Sequence, residues 1–123
     1  MKKSDLLIYR ISTGLLTLLM VFSASMYFLR YEFAKDMFLS LGFPAFIIYP
    51  LAIAKLLGLI TIWTNKSKVL KEWAYAGFTF ELMLAIGAHL TANDGEFAGA
   101  LMGLILVSVS YIFYRKTNPP YIQ

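Results

Sequence analysis

Apolar residues run in four long stretches, each bounded by charge. Ile11 to Leu29 is uncharged between Arg10 and Arg30, and its length as a helix, about 28 Å, nearly matches a bilayer's hydrocarbon core of about 30 Å. Residues 44–63, 73–90 and 97–114 form the other three, the last stopped by Arg115 and Lys116. Pro50 is expected to kink the second by freeing the carbonyl of Phe46. Glu32 to Phe43 is too short and too charged to cross. Phe33, Ala34, Met37, Phe38 and Leu41 nonetheless recur there at helical spacing, which predicts a short amphipathic helix in the membrane interface, ended by Gly42 and Pro44. Residues 65–71 read as a basic turn and 91–96 as a polar, acidic connection. The pattern predicts an all-α membrane protein, a four-transmembrane-helix bundle in a single domain with one interfacial helix between spans one and two. A cleaved signal peptide is the competing reading of the first stretch, because a basic start, an apolar run and Ser23-Ala24-Ser25 resemble its three regions. The run continues through Met26 to Leu29, and four helices pack better than three, so a span is preferred.

Lys55 and Glu81 are each the only charge inside their stretch. A lysine or aspartate at the bilayer centre costs about 2.5 to 3.5 kcal/mol on insertion scales, so the two are expected to pair. Lys55 lies eight residues before Trp63 and Glu81 eight after Trp73. If both tryptophans mark one interface, both charges lie roughly 12 Å deep.

Composition narrows the chemistry. Hydrophobic residues make up 59% of the 123 residues, too many for an ordinary soluble domain. With no cysteine and a single histidine, one copy offers no disulfide, thiolate, iron-sulfur, bis-histidine haem or zinc site. Redox chemistry would need a partner or a diffusible cofactor. The net charge of +4 flanks apolar segments instead of forming a basic face, so nucleic acid is not indicated. Lys2, Lys3, Arg10, Lys66, Lys68, Lys71, Arg115 and Lys116 fall on one side and only Arg30 and Lys35 on the other. Both termini are therefore expected in the cytoplasm of a multi-pass cell-membrane protein. Glu32, Asp36, Asp94 and Glu96 gather on the outer face.

Each candidate residue has a structural and a functional reading. Ala74, Gly77, Ala85 and Ala88 share the face of Glu81, so a small-residue stripe lets a neighbouring helix approach closely. Lys55 and Glu81 then serve either as an ion pair that fixes register or as a proton relay or ligand anchor. His89 sits about 12 Å outward of Glu81, and Tyr49 about 9 Å outward of Lys55. Interfacial anchoring accounts for both, while sharing the outer mouth of a cavity above the pair would let them hydrogen-bond a quinone-like carbonyl. Gly99 and Gly103 form a GxxxG, read as packing within the monomer or as a homodimer face. Ser23, Ser25, Ser108 and Ser110 read as backbone-bonded helix residues. The six methionines are lipid-facing or core fillers.

Leu41-Gly42-Phe43-Pro44, Ile53-Ala54-Lys55-Leu56-Leu57-Gly58, Lys71-Glu72-Trp73-Ala74-Tyr75-Ala76-Gly77-Phe78 and Gly87-Ala88-His89 together resemble the DoxX-like family of small four-helix membrane proteins. The resemblance runs from the first helix to the fourth, and residues 71–78 are its most specific part. It departs at Ala88, where relatives often have serine. It implies that Lys55, Glu72, Glu81 and His89 match the family's polar pattern, although capping of the third span would account for Glu72. The wider group resembles membrane subunits of thiosulfate:quinone oxidoreductase and other redox assemblies, and distant eukaryotic relatives act as receptor-assembly chaperones. Two functions are therefore expected: binding of a small lipophilic, quinone-like molecule at Lys55 and Glu81 in support of a redox partner, or non-enzymatic assembly of another membrane protein. A proton-coupled transporter ranks third, because four short helices offer little for alternating access.

Overall fold

A computed structural model describes residues 3–93, 95 and 97–117. Asp94, Glu96 and Lys2 lie outside the described residues. Those described are helical, with no strand: α1 (Lys3–Leu29), α2 (Tyr31–Ser40), a 3₁₀ turn (Ala45–Ile47), α3 (Ile48–Thr64), α4 (Lys68–Ala92) and α5 (Ala98–Thr117). Three segments are long and apolar enough to cross a membrane, Lys3–Leu29, Ala45–Thr64 and Ala98–Thr117. Helix α4, 25 residues long, is not among them.

The four long helices form a ring in which α1 packs on α5 and α3, and α4 packs on α5 and α3. Each buries one stripe of alternating three- and four-residue steps. On α1 it includes Thr13, Leu16, Met20, Ala24 and Tyr27; on α3, Ile48, Ala52, Lys55, Leu59 and Ile62; on α4, Lys71, Tyr75, Phe78 and Leu82; on α5, Gly103, Val107, Ser110, Tyr114 and Thr117. This spacing keeps one seam facing the bundle axis. Large apolar side chains elsewhere remain exposed, Leu18, Phe22, Phe46 and Phe80 among them, as expected where lipid and not water is the solvent.

The helix ends differ from the sequence expectation in ways the backbone explains. Helix α1 starts eight residues before Ile11. Asn65 ends α3 at φ 55°, and Ser67 caps α4 by accepting from the Leu70 N–H at 3.2 Å, so most of the expected basic turn is helix. Pro50 does not kink a helix. It lies in the first turn of α3, where no partner is required of the missing N–H. Gly42 follows α2 at φ 90°, and Phe43 N–H then reaches the Phe38 carbonyl at 2.8 Å, a Schellman-type stop that glycine permits.

Two apolar clusters result. Leu16, Leu59, Tyr75, Phe78, Val107 and Tyr114 belong to the one that joins all four long helices. Ala24, Tyr27, Ala34, Phe38, Ile48 and Ala52 tie α2 to the end of α1 and the start of α3. Helix α4 contributes nothing to the second cluster, so a hollow is left beside its C-terminal half.

Candidate functional site

Lys55 sits on the buried stripe of α3 between the two clusters, with Ala52 in one and Leu59 in the other. Its ammonium stands 3.0 Å from Glu81 Oε1 on α4. It also donates to Ser23 Oγ at 2.6 Å and to Tyr27 Oη at 3.1 Å, both on α1, and lies 4.3 Å from the Tyr27 ring centroid. Three acceptors match its three protons, so the ammonium is fully engaged. The share taken by α1 was not anticipated, because serine and tyrosine are ordinary helix residues and Ser23 was read as backbone-bonded.

Glu81 is more open than Lys55, 20% against 3% exposed. Its carboxylate borders two hollows. One, a cavity of about 110 Å³, is walled by Tyr27, Phe38, Phe43, Leu84 and Ala85 and is also lined by His89. The other is a groove of about 410 Å³ between α3 and α4, running past Gly58, Ala74 and Gly77 to Trp73. Leu51 and Glu81 line both. Ala74, Gly77 and Ala85 lie beside the buried stripe of α4, as Glu81 does, so their small side chains make space where close helix contact was expected. A Cβ at Gly77 would meet nothing within 4 Å, and the same holds at Gly99. Close approach occurs at Gly103, where a Cβ would stand 2.8 Å from Leu82 Cδ2 and 2.9 Å from Leu19 Cδ2, and at Gly58, 2.8 Å from Phe78 Cζ.

His89 and Tyr49 do not share a mouth. His89 lines the cavity. Tyr49 stacks on Phe28 and Tyr31 at centroid distances of 5.4 and 5.0 Å, because it follows buried Ile48 and one residue turns a helical side chain by about 100°. Glu72 is not a cap. Tyr111 Oη donates to its Oε1 at 2.8 Å and Arg115 Nη1 donates to Tyr111 Oη at 2.8 Å. Its Oε2 is buried without a hydrogen-bond partner.

Two polar features escaped the sequence reading. Ser110 Oγ lies 2.6 Å from Thr13 Oγ1 and 2.7 Å from Tyr75 Oη, so a buried hydroxyl network ties α1, α4 and α5. Lys71, grouped by sequence with the basic turn, is 2% exposed. The signal existed: Lys71 extends the spacing of Tyr75, Phe78 and Leu82. Among the described residues, no three His, Cys, Asp or Glu side chains gather to hold a metal ion.

A family model described as the DoxX-like family matches residues 11–113. No curated protein and no solved structure matches.

Proposed function

The chain belongs to the DoxX-like family and is a membrane protein with apolar helices, and from that premise we propose that it holds the head group of a small lipophilic, quinone-like molecule against Glu81, as the membrane subunit of a redox assembly. One observation carries this reading: Glu81 and His89 line the same apolar cavity. Its volume of about 110 Å³ is of the order of cavities that admit a benzene ring, ~150 Å³, and suits one ring, not a drug-sized ligand. The Glu81 carboxylate accepts from a ring hydroxyl, and the His89 imidazole donates to or accepts from a second ring oxygen. The groove that shares Leu51 and Glu81 with the cavity gives an apolar tail a track towards Trp73. Lys55 is a positioning residue. Its three bonds to α1 and α4 hold the carboxylate in place and balance its charge.

In this reading α4 is the fourth crossing, over residues 73–90. At 25 residues it extends about 37 Å, and it packs between two apolar spans. Helix α2 lies in the interface, and the excess of Lys and Arg at the α1 start, the α3–α4 turn and the α5 end puts both termini in the cytoplasm. With no cysteine and one histidine in the chain, electrons pass through a partner or the bound ring.

The full engagement of Lys55 favours a second reading, a non-enzymatic assembly or stabilising factor in which the pair is only a staple. Native mass spectrometry of the protein released from mild detergent separates the two. A retained lipophilic adduct on the chain is expected; a bare chain with a stoichiometric second protein would favour the helper.

A further inference from the structure

The opposite end of the bundle holds a second basic centre. The start of α1, the turn from α3 to α4 and the end of α5 meet there. Lys71 reaches inward from α4, donating to Tyr9 Oη at 3.0 Å and to Asn65 Oδ1, with its ammonium 4.2 Å from the Tyr114 ring centroid. All these partners are neutral. Among the described residues no carboxylate lies within ion-pair distance of Lys71 or Arg10, and Glu72 on the next position is held by Tyr111. Buried charges are normally paired, and a cation left uncompensated is costly. Beside it lies a hollow of about 300 Å³ bordered by Arg10, Trp63, Lys71 and Thr117.

We propose that this hollow is a binding site for a phosphate group, carried either by a lipid head group or by a soluble phosphate. Two of the three Lys71 protons are taken by neutral acceptors, which leaves one for an anion oxygen. Arg10 is exposed at the rim, where its planar fork can grip a second and third oxygen. The anion supplies a charge that no described residue places within ion-pair distance of Lys71. Burial lowers the Lys71 pKa from its ordinary value to about 8, against the opposing pull of Glu72. Burial thus outweighs the carboxylate at the next position, and a bound phosphate would oppose the shift. The site stands apart from the Glu81 cavity and shares no lining residue with it, so neither depends on the other.

The test is a binding titration on the full chain in an uncharged detergent at neutral pH. Inorganic phosphate is one probe, and a short-chain phosphatidic acid is the other, with phosphatidylcholine of the same chain length as control. Binding of phosphatidic acid above the control is expected, falling about tenfold or more in Lys71→Met and in Arg10→Gln. Arg10→Gln alters only an exposed side chain and so keeps the readout clear of folding. If inorganic phosphate binds with the same two-residue dependence, the source is soluble; if only the lipid does, it is the membrane. No binding of either probe, or binding that survives both substitutions, overturns the proposal.

Discussion

Removing one member of a buried ion pair strands the other, whereas removing both leaves only a packing change. In Lys55→Met, Glu81 loses its counter-ion and Ser23 and Tyr27 lose a donor. A loss of about 3 kcal/mol is expected, while Lys55→Met combined with Glu81→Leu recovers most of it. Thermal unfolding in one detergent checks this, and losses that simply add would contradict the coupling. The pair was legible in the sequence because a lone charge in an apolar run has few solutions. Its hydroxyl partners on α1 were not, since a helical serine satisfies itself on the backbone as readily as across a seam. Lys71 was misplaced for a related reason. Lysines in a basic turn are normally solvated, and only its register with Tyr75 and Phe78 marks it as buried.

At the scale of elements, the heptad-like stripes make glycine position decisive. Gly103 is on the buried stripe of α5, and Gly99, one turn earlier, is exposed. Gly103→Leu must displace Leu82 and Leu19 and should cost about 1–3 kcal/mol by overpacking. Gly99→Leu meets open space and should leave the monomer's unfolding temperature unchanged or raised, because leucine favours helix over glycine. Equal losses at the two positions would contradict the packing described. The GxxxG spacing was plain in the sequence, but it specifies two small residues without saying which faces a neighbour. The same ambiguity hid the groove. Small side chains at 74, 77 and 85 are compatible with close contact or with space, and the choice falls to bulky Phe78 and Leu82, which set the distance between helices.

For the whole molecule, the ring order α1–α3–α4–α5 brings the start of α1, the end of α5 and the α3–α4 turn to one end, and the Glu81 cavity lies towards the other. The order of the long helices was readable from the apolar runs. A cavity above the pair was one reading of His89 and Tyr49, but its walls were not readable, because it arises where α2 packs on α1 and α3 and leaves α4 unmatched. The number of crossings, four in the proposed reading, can be tested directly, since the chain has no cysteine and any introduced one is unique. Lys3→Cys, Lys68→Cys and Lys116→Cys should react with an impermeant maleimide from one side, and Ala92→Cys from the other. Opposite accessibility of Lys3→Cys and Lys116→Cys would indicate an odd number of spans. The central claim is that a ring binds in the Glu81–His89 cavity, and Ala85→Phe addresses it most directly by filling that space while leaving Lys55 and Glu81 in place. Titrated with a short-chain quinone analogue in detergent, the wild-type protein should bind and Ala85→Phe should not, with the unfolding temperature of the two alike. Undiminished binding by Ala85→Phe would contradict the account.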